Sequence, residues 1–257
     1  MSIAECAVLV QKGDPDRFQA VMAAPVAARE RLFPLYAFNL EIARIPWLTN
    51  EGMVAEMRLQ WWRDVIENTA SGAARAHEIA EPLHHVILDA GLPLDVMDRL
   101  IAARRHEAWR GAFESDTDFA AYIEDTGAGL MWLAARALGA PGEAESVARD
   151  YGWAIGLARY LAAVPGLAAK GVEPLPDPSM AGIAALARQG LSRLDSARKS
   201  RRELPSAAAP ALLSGWLAEP MLHLAVRAPE LVGAGGLHPS EFTRRWRLVR
   251  QVFTHRW

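Results

Sequence analysis

Glu81, His85 and Asp89 are spaced by four residues, which places them on one face of an expected helix with Pro82 in its first turn. That face could offer two carboxylates and an imidazole to one cation. No fourth ligand and no groups that would orient the three can be named beside them. His84, His85 and the neighbouring acids are therefore read as a solvated face. A second compact group is Arg58, Gln60, Trp61 and Trp62. It could line a pocket or present a surface to a partner, where Trp and Arg are favoured anchors. Adjacent tryptophans leave a helix in different directions, so at least one of the pair is expected in the core.

Other chemistries find less support. The single cysteine, Cys6, lies near the N-terminus in what is expected to be a mobile end, so neither a disulfide nor a Cys/His nucleophile is expected. No Ser/His/Asp set stands out. Gly127, Gly129, Gly233, Gly235 and Gly236 lack the strand-turn-helix setting of a phosphate loop.

The elements that must position these residues are helical. Apolar residues recur with a helical period through most of the chain, and strand-like alternation is almost absent. Asp14-Pro15-Asp16 opens one helix, Pro25 a second and Thr49-Asn50-Glu51-Gly52 a third. Breaks are expected at Ser71-Gly72, Gly91-Leu92-Pro93, Gly111 to Asp118, Gly139 to Gly142 and Pro165-Gly166, giving roughly ten helices. The longest irregular stretch is expected from Pro165 to Ser179, with further breaks at Ala207 to Pro210 and Ala228 to Pro239. The expected fold class is all-α, a single-domain helical bundle over residues 1–257.

With 51% hydrophobic and 23% charged residues the chain can bury a sizeable core. A formal net charge of −2 exerts no global pull on nucleic acid, and no nucleic-acid partner is expected. No signal peptide is read at the N-terminus, and no apolar window is long enough to span a membrane. The cytoplasm is the expected location, with a peripheral contact at the inner membrane as a further expectation.

Two stretches, Leu32 to Arg44 and Gly152 to Leu161, resemble the squalene/phytoene synthase family, and Tyr122 to Gly139 is similar to another helix of that family. The resemblance runs from about Asp16 to Pro176 and includes Leu175-Pro176. It implies a helical bundle of the isoprenoid synthase type. In that family, aspartates four residues apart on two facing helices hold magnesium ions, which grip the diphosphate of a prenyl substrate. At the corresponding positions this sequence has Ala43, Arg44 and Trp47 on the first helix and Ala163 and Leu167 on the second. Arg159 replaces the usual asparagine, and Pro165-Gly166 is expected to end the second helix early.

Ala37 to Ala43, Met57 to Trp62 and a His238-Pro239 followed by a Trp/Arg-rich helix are similar to the non-enzymatic branch of the family, typified by mitochondrial complex I assembly factor 6. This implies a role in assembling respiratory complex I, with a subunit or assembly intermediate as partner. No catalytic residue, metal ligand or cofactor is expected. The alternative is a prenyltransferase in which magnesium is held by Glu41, Glu107 or Asp125, and a third reading is a binding protein whose apolar cavity holds an isoprenoid or lipid. Candidate pocket or anion-binding residues are Tyr36, Asn39, Glu41, Arg44, Arg58, Gln60, Trp61, Tyr122 and Arg159. Arg44 and Arg159 could bind a phosphate or carboxylate directly, or each could pair with a local acid such as Glu41 or Asp150.

The segment Phe242 to Trp257 places Phe242, Trp246, Val249 and Phe253 near one face, with Arg244, Arg245, Arg247 and Arg250 largely elsewhere. It could touch an anionic membrane surface or be a final core helix with a solvated basic face. The run from Arg198 to Arg202 is read as a charged helix end.

Overall fold

The computed structural model describes residues 3–72, 74–254 and 257. Every regular element among them is helical. In chain order these are α1 (Ile3–Gly13), α2 (Pro15–Met22), α3 (Val26–Arg44), α4 (Gly52–Glu67), α5 (Ala80–Ala90), α6 (Leu94–Ala108) and α7 (Asp116–Ile123), then α8 (Gly129–Ala137), α9 (Glu145–Ala168), α10 (Met180–Lys199), α11 (Ala209–Leu212), α12 (Ala218–Arg227), α13 (Glu230–Gly233) and α14 (Glu241–Thr254). Two of these beyond the roughly ten expected are single turns, α11 overlapping the break read at Ala207 to Pro210 and α13 within that at Ala228 to Pro239.

Local signals start several of these helices. Asp14 accepts a hydrogen bond from the Arg17 amide at 2.9 Å and Pro15 fills the first turn of α2. Ser115 caps α7 through the Asp118 amide at 3.1 Å, so the irregular stretch expected to reach Asp118 stops before Asp116. Ser179 does the same for α10 through the Gly182 amide at 3.0 Å.

The chain forms two compact units. The first comprises the described residues within Met1–Trp109, Trp132–Pro141 and Pro205–Ser214. Here α1 packs on α3, α3 on α5 and α4 on α6, around Leu32, Leu35, Tyr36, Phe38, Ile42 and Leu59. Cys6 belongs to this core. It is fully buried on α1, with its Sγ toward the Glu78 carbonyl at 3.6 Å, which overturns the expectation of a mobile end. His84 is also buried, because its position on α5 faces inward, while His85 next to it is exposed.

The second unit comprises Arg110–Met131, Gly142–Leu204 and the described residues within Gly215–Trp257. Its axis is α9, which packs along α10, α12 and a π-helical turn, Glu124–Ala128. That turn meets α9 backbone to backbone: a Cβ on Gly127 would lie 2.7 Å from the Gly156 Cα, closer than atoms can approach. Gly127, Gly152 and Gly156 serve this contact. Contrary to expectation, α9 does not end at Pro165 but runs to Ala168, with the Ala169 amide donating to the Pro165 carbonyl at 3.0 Å. Proline removes only the donor to the Leu161 carbonyl, and Leu161 and Val164 in the turn before it stay buried. Among the described residues no helix is long and apolar enough to cross a membrane.

Candidate functional site

In the first unit, α3 supplies Tyr36, Asn39, Glu41 and Arg44. Tyr36 and Asn39 are buried, the Arg17 guanidinium lies 4.8 Å above the Tyr36 ring, and the Asn39 Oδ1 has no hydrogen-bond partner among the described residues. Arg44 is exposed and its Nε contacts Glu41 at 2.9 Å, so this arginine pairs with an acid of its own helix. Pro46 then converts the chain to a 3₁₀ turn, Ile45–Trp47, and Trp47 is no longer in α-helical register with Ala43.

On α4, Trp62 is buried edge-on against Phe38 at 5.2 Å, which makes it the core member of the tryptophan pair. Trp61 is half-buried and meets Trp62 and His77 at 5.0 and 5.2 Å. Gln60 donates to Asp64 at 2.8 Å, and it and Arg58 are exposed. Glu81, His85 and Asp89 form no site. Among the described residues no group of three or more His, Cys, Asp or Glu side chains is placed to hold a metal ion.

In the second unit, Tyr122 is buried in a ring cluster with Phe113 and Tyr160, at 5.4 and 5.7 Å. The Tyr160 hydroxyl donates to the Pro174 carbonyl at 2.8 Å, which ties α9 to the irregular segment after it. Arg159 is half-buried beside it, Ala163 is exposed and Leu167 half-buried. Asp150 is occupied by Arg193 at 2.7 Å and does not serve Arg159.

Magnesium takes hard oxygen ligands in a near-octahedral array. Alanine, leucine and tryptophan side chains offer none, and a guanidinium repels the cation. Of the substitutes, Glu41 is held by Arg44, and Glu107 by Arg104 at 3.3 Å in a largely buried pair. The residues at the aspartate positions therefore do not suit a magnesium-diphosphate cluster.

Sequence reasoning missed a charged cavity in the second unit. Both oxygens of Glu219 on α12 are gripped, one by Arg198 at 2.6 Å and the other by Arg247. The Arg198 hydrogen bond leads in pulling the Glu219 carboxyl down to about 2, against the opposing effect of burial and with Arg247 assisting. Arg198 is thus half of a clamp, which its place in a run of charges did not signal. The same contacts turn α14 over. Arg247 and Gln251 face inward, Gln251 bonding the buried Tyr151, while Phe242 and Phe253 are 78% and 80% exposed and Trp246 and Val249 are also exposed. The reading of a core helix with a solvated basic face is overturned, because the polar face finds buried partners and the apolar face does not.

Comparison with known proteins agrees with this architecture. Residues 10–247 match the profile of the squalene/phytoene synthase family. Complex I assembly factor 6 of Bos taurus is 26% identical over 161 residues, covering 62% of this chain and 48% of the relative. The Drosophila melanogaster homolog is 28% identical over 167 residues, covering 62% and 50%. The chain thus spans about half the length of these relatives. A dehydrosqualene synthase superposes with a TM-score of 0.80 at 14% identity over 98% of this chain and 95% of its own. The squalene synthase HpnC from Alicyclobacillus acidocaldarius gives 0.74 at 16% identity, over 88% and 93%. At such identities the structures speak for the isoprenoid synthase fold alone, and with the matched profile covering most of the sequence, the chain belongs to the squalene/phytoene synthase family.

Proposed function

We propose that this chain is a non-catalytic squalene/phytoene synthase-like protein that assists assembly of respiratory complex I (NADH:ubiquinone oxidoreductase). The observation that carries this reading is the replacement of carboxylates on both helices, by Ala43, Arg44 and Trp47 on one side and Ala163 and Leu167 on the other. Ionising an allylic diphosphate needs cations held at the leaving group, and these side chains cannot hold them. The likeness to assembly factor 6 supplies the direction of the role, with a complex I subunit or assembly intermediate as partner. The outward apolar stripe of α14, flanked by the exposed Arg245, supports a peripheral contact with an anionic membrane surface. The test is disruption of the gene, followed by native electrophoresis of complex I and measurement of carotenoid and hopanoid content. Less assembled complex I with unchanged isoprenoids is expected. Loss of isoprenoids with normal complex I overturns the proposal.

A further inference from the structure

Beneath α14 lies a half-open cavity of about 260 Å³, lined by residues of the second unit. Four arginines line it, Arg198 and Arg201 from the end of α10 and just beyond, Arg247 and Arg250 from α14, against one carboxylate, Glu219. Glu219 engages Arg198 and Arg247. Arg201 and Arg250 have no ion-pair partner among the described residues. The cavity also holds Trp216, which is buried and whose indole Nε1 has no hydrogen-bond partner among the described residues. That nitrogen is closed to solvent, so the donors the cavity offers are its arginines. One acceptor is already accommodated: a main-chain oxygen of Trp257 accepts from Arg198 Nε at 3.0 Å.

We propose that this cavity is a binding site for a phosphoryl anion, held by Arg201 and Arg250. Charge excludes a cation, and the surplus of donors over acceptors excludes an apolar ligand. A phosphoryl group presents several oxygens at once and can satisfy two guanidinium forks together, which suits it better than a carboxylate. The volume is that of a small anion or a headgroup and falls below what a drug-sized ligand fills. The site is distinct from the aspartate positions: Tyr151, which lines the cavity, precedes Ala163 by twelve residues on α9, about 18 Å along the axis. It does not depend on the assembly reading. Two sources carry such a group, a soluble diphosphate and an anionic lipid, the latter in keeping with the exposed apolar outer face of the same α14.

The test is calorimetric titration of the full chain with inorganic pyrophosphate, alongside Arg201→Ala and Arg250→Ala. Saturable binding is expected, weakened about tenfold by either arginine change, as loss of one charge-assisted contact implies, and weakened by added salt. Both arginines are exposed, so their removal should leave the fold intact, which the unchanged melting temperature of the variants verifies. Absence of saturable binding, or binding indifferent to both arginine changes, overturns the proposal. Sedimentation with phosphatidylglycerol vesicles separates the sources. If a lipid headgroup fills the site, pyrophosphate displaces the vesicles and Arg201→Ala weakens their capture. If the ligand is soluble, neither affects the vesicles while pyrophosphate still binds.

Discussion

Replacing Glu219 by glutamine should remove the charge that holds two arginines under α14, and its cost should depend on pH in a set way. The carboxyl sits at about 2 where 4.5 is ordinary, chiefly because Arg198 donates to it and secondarily because Arg247 does. At about 1.4 kcal/mol per pH unit this displacement stores at most about 3 kcal/mol. The side chain is 27% exposed, so solvent screening reduces the expected loss to about 1–2 kcal/mol. Because the folded value is depressed, the contribution is complete above the ordinary value of 4.5 and is lost as pH falls toward about 2. Urea unfolding of the wild type and Glu219→Gln, followed by circular dichroism across that range, should give curves that differ at neutral pH and converge in acid. A difference that stays constant into acid, or none at neutral pH, would refute the clamp.

Three further expectations follow from packing. Gly156→Ala would place a Cβ 2.8 Å from the Gly127 Cα, and should cost about 1–3 kcal/mol by chemical denaturation; a change below about 0.5 kcal/mol would contradict the close approach. Cys6 is fully buried, and burial, reinforced by Glu5 and Glu78, pushes its thiol up to about 12, so Ellman's reagent should leave the folded protein unmodified and react promptly once it is unfolded. Phe242→Gln and Phe253→Gln should each change stability by less than about 0.5 kcal/mol, since their rings are exposed, and should reduce sedimentation with anionic vesicles; a large loss of stability would return α14 to the core.

How far the sequence could be read depended on the range of the interactions involved. The start of α2 was legible at Asp14-Pro15 because its cap lies within four residues. The helical period likewise placed Tyr36 and Asn39 on α3 and Tyr122 on α7. Pro165 misled because proline's local effect is one lost donor, while α9 is kept helical by α10 and the glycine contact along its length. For α14 the period showed one apolar face but could not tell which side would dock. That choice was made by Glu219, 28 residues from Arg247, and by the buried Tyr151. The clamp joins residues 21 and 28 positions apart, distances at which no spacing rule operates. Arg44 was legible as one of two outcomes, and its local pairing with Glu41 needed the rotamer to be seen.

The most direct test of the central claim, that this synthase shell works without magnesium-diphosphate chemistry, is release of pyrophosphate from farnesyl or geranylgeranyl diphosphate by the purified protein with and without magnesium. The account predicts no magnesium-dependent release above the rate without protein. Sustained magnesium-dependent turnover to a condensed prenyl product would contradict it.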